Sequence, residues 1–504
     1  MKHLVIALAL AALGCSSLLG FPKKQPQDTS TEDSGSDLDV TAESDPDLPL
    51  DETDDPDAAD LHDPADETSD PDVPTDETED DVEEDVPVDE TMEPDADVPP
   101  DPPEDPVADP VSDPTPDLDA PDTSDIVEVD APLDMGGEES SSCGTPVATM
   151  SDVRVTTCCE RSEQPFIAWT GSEFGLSWTE YISGDMDIFF TRLDHTGSRT
   201  GTDLNVTAHA DQSDESAIVW TGSEFGLAWH DTRHTDTEVY FVRISAAGSK
   251  MGTETRVSTT TNDSLYPQMA WTGSTFGVTW EERSMYTSVR FALLDADGAK
   301  IGSDTGVASG TYTCNSPDLV WTGSEFGVAW NDGRLATHEI FLARLDADGT
   351  EIGSERNITA DDGQYSAIVS LAWTGSEFGF AWQDRRHGDY EIYFDRATPT
   401  GTIIGSEVRI STAAETSVNP HVAWTGTEFG VLWDDNRLII DTEVYFMRIS
   451  ATGTPLTGEF RVTNASQWSK QPLTAWTGSV HGLTWKDYRT SNYEVYFNVI
   501  DPCP

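Results

Sequence analysis

The chain runs to 504 residues, with 95 Asp and Glu against 27 Lys and Arg and a formal net charge of −68 at pH 7. Of those acids, 46 fall between Pro22 and Ser142 together with 20 of the 30 prolines, which leaves 49 acids to 24 bases from Cys143 onward. Both parts are acidic enough to repel phosphate backbones at long range, so nucleic acid is not expected as a partner.

The first three residues, Met1-Lys2-His3, form a short basic head, and Leu4 to Leu13 form an apolar stretch. A spanning helix needs ~20 apolar residues, so this pattern predicts a signal peptide over residues 1–14 rather than a membrane span. Its end, Ala12-Leu13-Gly14-Cys15, resembles the lipobox of bacterial lipoproteins, with Ala12 where that family usually has Leu. The resemblance implies that Cys15 is lipidated and becomes the first mature residue. It also implies that Ser16 is compatible with export to the outer membrane or cell surface; the alternative is ordinary secretion with cleavage nearby.

Residues 15–142 read as an Asp/Glu/Pro-rich stalk. From Pro22 to Ser142 there is no Phe, Trp or Tyr, and Lys23 and Lys24 are the only Lys or Arg. Too little apolar surface and too much self-repulsion predict disorder and extension. A neutral coil of this length spans roughly 60 Å, and proline and charge push it towards about 3.1 Å per residue. The segment is expected to lift a domain off the membrane; an acidic tail for cations or basic partners is the alternative.

From Cys143 the character changes. The string Trp-Thr-Gly recurs at Trp169, Trp220, Trp271, Trp321, Trp373, Trp424 and Trp476, each followed nine residues later by a second tryptophan. In the fifth unit, Ser370–Trp373 and Phe378–Trp382 flank a Gly-Ser pair, the pattern of a tight hairpin in which glycine supplies positive φ. A third alternating run, Glu391–Arg396, precedes the Gly401 turn, and a short fourth run follows at Val408–Ser411. Such a unit cannot bury its own faces. The fold class is therefore all-β, a seven-bladed β-propeller over residues 143–504 with four antiparallel strands per blade. The last unit stops at Pro504 without a fourth strand. Asp152–Thr156 resembles the fourth strands Phe460–Thr463 and Arg256–Ser258, so the N-terminal strand is expected to complete the last blade.

A shared blade brings Cys143 and Cys503 together, and an exported protein keeps a disulfide there. Cys158, Cys159 and Cys314 remain: the first two can bond each other, or one of them can reach Cys314.

The fourteen repeat tryptophans are expected in the core. Trp468 lies outside both repeat positions, in the loop before the seventh unit, and Tyr266, Tyr312 and Tyr365 are placed in the equivalent loops. These four are the candidate ligand contacts, with local packing as the alternative. A Trp-x-Asp-x-Arg motif carries Asp231 and Arg233, Asp332 and Arg334, Asp384 and Arg386, Asp435 and Arg437, and Asp487 and Arg489. Units one and three depart from it, with Glu180 and Ile182, and Glu282 and Ser284. Each arginine is expected to pair with the acid five or six residues later (Glu238, Glu339, Glu391, Glu443 or Glu494) and pin the turn, a structural role; a polar ring at a binding face is the alternative.

The order aromatic-Gly turn, V-x-W-x-D-x-R, E-I-Y-F-x-R and a second Gly turn resembles, at a distance, the propeller repeats of the periplasmic TolB family, which usually carry Trp-Ser-Pro-Asp-Gly where this chain has Trp-Thr-Gly-Ser-Glu. The resemblance implies the fold and an interaction role, and no catalytic residue.

Asp295-Ala296-Asp297-Gly298 and Asp346-Ala347-Asp348-Gly349 are similar to calcium loops, but other units place Asp194-His195-Thr196-Gly197 or Ser450-Ala451-Thr452-Gly453 there. A plain turn is the better reading; no cofactor or metal is expected, with calcium as the minor alternative. Two functions follow. The first is a lipid-anchored, monomeric, non-catalytic module of the cell envelope or surface that binds an envelope or extracellular protein or a glycan. The second is a carbohydrate-active enzyme with carboxylates from non-equivalent positions gathered at the central mouth; a purely structural surface-layer protein would show neither feature.

Overall fold

A computed structural model describes residues 143–504, apart from 158–159, 209–210, 336, 360–362 and 439–440. The signal peptide, Cys15, the stalk, Cys158 and Cys159 lie outside the described residues. Each Trp-Thr-Gly string closes a hairpin. In the fifth, the Thr374 N–H donates to Glu377 O at 2.9 Å, the Thr374 hydroxyl accepts the Glu377 N–H at 2.9 Å, and Gly375 takes φ 99°. Blade five then runs Ser366–Trp373, Phe378–Asp384, Glu391–Ala397 and Val408–Arg409, all antiparallel. Seven such sheets make a seven-bladed propeller, and the first strands of neighbouring blades touch in an unbroken cycle that returns from blade seven to blade one.

Packing between blades explains why closure is tight. The aromatic after each hairpin covers a glycine of the preceding blade. A Cβ on Gly175 would lie 2.4 Å from Phe225, and the same holds around the ring to Gly482 against Phe174 at 2.2 Å. Only glycine leaves room. The second tryptophans of the repeat are at most 2% exposed. The first tryptophans differ from expectation: they are only half-buried, one face resting on the next aromatic, as Trp169 does on Phe174 at 4.5 Å.

The last blade is completed from the N-terminus. Val153 and Arg154 pair with Phe497 and Tyr496, the Val155 N–H donates to Val495 O at 2.7 Å, and Val147–Ala148 adds a second bridge to Ile500 and Asp501. The borrowed strand also reproduces fourth-strand chemistry. Arg154 and Thr156 bond Glu494 as Arg461 and Thr463 bond Glu443 in blade six. A disulfide joins Cys143 to Cys503 beyond this strand.

The Trp-x-Asp-x-Arg pairs form a different network from the one expected. In blade two, Asp231 is fully buried and accepts the Trp229 Nε1–H at 3.1 Å, the Ser213 hydroxyl at 2.9 Å, the Arg233 N–H at 2.8 Å and the Arg233 guanidinium. Burial pushes this carboxyl up, but the guanidinium and the N–H outweigh it and hold the pKa below the usual carboxylate range. The guanidinium also reaches an acid in or just before the fourth strand, at Glu254, Glu355, Glu407 and Glu459 in blades two, four, five and six, and at Asp152 in blade seven. Four of the acids expected to pin the turn, Glu238, Glu391, Glu443 and Glu494, instead take the fourth-strand arginines Arg256, Arg409, Arg461 and Arg154, while Glu339 accepts the Thr359 hydroxyl. Cys314 is a buried free thiol at the serine position of the same network, 3.4 Å from Asp332.

Candidate functional site

The seven first strands surround a central channel, and each breaks its register at one bulge. The bulged residues are Gln164, Glu215, Tyr266, Ser316, Ile368, Asn419 and Gln471, all half-buried and all left-handed, with φ between 47° and 54°. None is glycine, so each position carries strain of order 1 kcal/mol or more. A bulge re-aims side chains. They set six kinds of side chain, glutamine twice, around the same end of the channel, its mouth, where the second-to-third strand turns also lie.

What supports four of the bulges is the middle residue of Trp-x-Asp in the preceding blade. The Thr179 hydroxyl accepts the Glu215 N–H at 3.2 Å, Glu281 accepts that of Ser316 at 3.2 Å, Gln383 that of Asn419 at 3.1 Å, and Asp434 that of Gln471 at 2.8 Å. The middle position reads Thr179, His230, Glu281, Asn331, Gln383, Asp434 and Lys486 around the ring. Sequence reasoning missed these residues. The available signal was a variable position inside an otherwise constant motif.

Blades one to three concentrate ionisable groups. Gln164 donates to Glu215 at 2.7 Å, the Thr179 hydroxyl donates to Asp214 at 2.7 Å, and Arg283 pairs with Glu281 at 2.6 Å while lying 5.2 Å from the centre of the Tyr266 ring. His230 meets Tyr266 at 6.0 Å. Burial, and then repulsion by Asp214 and Glu281, raise Glu215 well above the carboxylate range. Burial lowers His230, and its Nδ1 has no hydrogen-bond partner. Across the mouth, burial lifts Asp434 to about 7 against the pull of Asn419 and the Gln471 N–H. Below the bulges, burial lifts Asp318 to about 6 and lowers His421 to about 4.

The four candidate ligand residues occupy unlike positions. Tyr266 is not in a loop but at the bulge of Asp263–Trp271. Tyr312 donates to Ser309 O at 3.1 Å under the Arg334 guanidinium, and Tyr365 packs between His338 and Tyr390. Trp468 is exposed at the rim of blade seven. The Asp-x-Arg pairs belong to the blade networks rather than to the mouth. At the other end of the channel, Asp295 and Asp346 turn their carboxylates onto their own backbone N–H groups at 2.8 to 3.0 Å. No group of three or more His, Cys, Asp or Glu among the described residues could hold a metal ion.

No family model matches the chain, and no curated protein matches it. Among solved structures, an oligogalacturonate lyase from Vibrio parahaemolyticus aligns over 70% of this chain and 95% of its own, at 11% identity and a TM-score of 0.46. Raptor from Chaetomium thermophilum aligns over 72% of this chain and 29% of its own, at 10% identity and 0.47. A TolB candidate from Agrobacterium tumefaciens aligns over 59% of this chain and 94% of its own, at 15% identity and 0.34. Likeness at this level carries no function across.

Proposed function

We propose that the propeller is a binding module of the cell envelope, exported by residues 1–14, tethered by a lipid on Cys15 and spaced from the membrane by residues 15–142. The observation behind this reading is a framework repeated seven times around a mouth in which the same strained backbone position carries six kinds of side chain, only the adjoining Gln471 and Gln164 being alike. Ring packing needs only one repeated unit. Different groups at equivalent positions suit a ligand that lacks the ring's symmetry, such as an envelope or extracellular protein or a glycan.

The described fold begins at Cys143, and Val147 pairs with Asp501 close to the Trp-Thr-Gly turns, so the mouth lies at the opposite end of the ring from Cys143. A glycan and protein binding screen tests the reading. A ligand whose affinity falls at least tenfold in Tyr266→Ala supports it, and a ligand indifferent to every mouth substitution rejects it. Shortening residues 30–130 is expected to impair function in intact cells and leave the affinity unchanged.

A second reading, a carbohydrate-active enzyme, draws on the gathering of Glu215, Asp214, Glu281, His230 and Tyr266 in blades one to three. A carboxyl kept neutral beside other acids is the form a general acid needs. Cleavage within a polysaccharide panel that disappears in Glu215→Gln while binding persists favours this reading over a pure binder.

A further inference from the structure

Blade seven sets two cations side by side at the mouth. Lys470 on its first strand stands directly opposite Lys486 on its second, where blade one has Glu163 opposite Thr179 and blade six has Val418 opposite Asp434. Like charges in that arrangement repel. Lys486 is neutralised, its Nζ lying 3.1 Å from Glu163 and 4.9 Å from the centre of the Tyr493 ring. Lys470 makes no ion pair among the described residues. Asp434, the blade-six acid that feels its charge, is already engaged by the Asn419 side chain at 2.8 Å and the Gln471 N–H.

The Lys470 ammonium lies 5.1 Å from the centre of the Trp468 ring. Trp468 is 39% exposed, the one exposed tryptophan among the described residues. It rests on Tyr488 at 5.5 Å, which in turn meets Tyr493 at 4.9 Å, and its carbonyl accepts the Tyr488 N–H at 2.8 Å. An indole resting on Tyr488, which Tyr493 backs in turn, therefore leads from the rim, past an unpaired ammonium, to Lys486 and Glu163 at the mouth.

We propose that this strip is a subsite for an oligosaccharide whose sugars carry carboxylates. Trp468 stacks on the C–H face of one ring, and Lys470 takes the carboxylate of that ring or its neighbour. The proposal rests on the mouth being a binding site and names its ligand class. An acidic peptide would satisfy Lys470 but leave the indole face unmatched. The domain's net negative charge does not forbid an anionic ligand, because exposed charges are screened beyond about 8 Å at physiological ionic strength and recognition is then set by the local cation.

The test uses the immobilised full chain with a uronic-acid hexasaccharide and its carboxyl-reduced, neutral counterpart. The acidic sugar is expected to bind at least tenfold tighter than the neutral one. Lys470→Gln should remove that difference and Lys470→Arg should retain it, while Trp468→Ala should weaken both sugars. Both side chains lie outside the core, so unfolding midpoints should not fall, which separates lost contact from lost fold. Equal binding of the two sugars, or full discrimination in Lys470→Gln, overturns the acidic-saccharide assignment. If neither sugar binds while another ligand is lost in Tyr266→Ala, the ligand class is wrong and the binding reading stands; if mouth substitutions affect no ligand at all, both fall.

Discussion

Replacing His481 by Phe should stabilise the propeller, and more so as the pH falls. Six blades place Phe after the hairpin and blade seven places His481, fully buried, with its Nε2 lacking a partner. The site already has the shape of a phenylalanine pocket. His481 approaches a Cβ built on Gly430 to 2.6 Å, as Phe276 approaches one on Gly226 to 2.5 Å. Thr474, near the other ring nitrogen, keeps its bond to Gly482 O at 3.0 Å after the change. Removing an unsatisfied buried nitrogen is worth about 1–3 kcal/mol. Burial, and then His421 and Arg448, push His481 down to about 3 from the ordinary 6.5. With its folded pKa depressed, the unfolded chain binds the extra proton between those values, so stability is intact above pH 6.5 and lost as pH falls towards 3. At pH 4.5 the loss amounts to about 2.7 kcal/mol, at 1.36 kcal/mol per pH unit. Urea midpoints at pH 7.5 and 4.5 measure both effects. His481→Phe should gain at the first pH and gain more at the second; a variant no more stable at pH 7.5, or an advantage that does not widen at pH 4.5, refutes the reasoning.

Opening the Cys143–Cys503 bond by Cys143→Ser frees a sequence separation of 360 residues; the chain-entropy model puts the loss at about 6 kcal/mol at most, measured as a urea midpoint that becomes insensitive to reductant. Asp384→Asn leaves Arg386 with only the more exposed Glu407 as an ion-pair partner and weakens the bonds from Trp382 and Ser366. It should destabilise by about 1–3 kcal/mol, read in the same assay. Glu215→Gln should stabilise: with the folded pKa of Glu215 raised, the wild type loses stability as pH rises above the ordinary 4.5, so the variant's advantage should grow from pH 5 to pH 8. A variant less stable than wild type at pH 8 contradicts this.

The ring was legible because its causes repeat. Trp-Thr-Gly-x-x-Phe-Gly states the hairpin, the interblade aromatic and the interblade glycine in one string, and the missing fourth strand after Phe497 points straight to Val153 and Arg154. The arginine pairing was not legible for a reason of register. Asp231 and Glu238 stand opposite each other on neighbouring strands, so spacing offers both to Arg233. The backbone N–H of Arg233 decides for Asp231, and Glu238 is left to Arg256 from the outer strand.

The mouth escaped sequence reasoning for a deeper reason. Its hydrogen bonds run from one repeat to the next, as from Gln471 back to Asp434 across 37 residues, and no motif inside a single repeat contains both partners. Positions that serve packing vary little from blade to blade, because each glycine faces an aromatic ring of the next blade, Phe in six cases and His481 in one. A bulge needs only an acceptor for its N–H, and Thr, Glu, Gln and Asp each supply one here. That tolerance lets seven side chains diverge without loss of the ring. It also explains why a carboxyl such as Glu215, with its pKa raised by burial and by neighbouring acids, can persist in a strained, half-buried place: the framework's stability comes from the interblade core, and the mouth is the part of the fold left free to be chosen by what enters it.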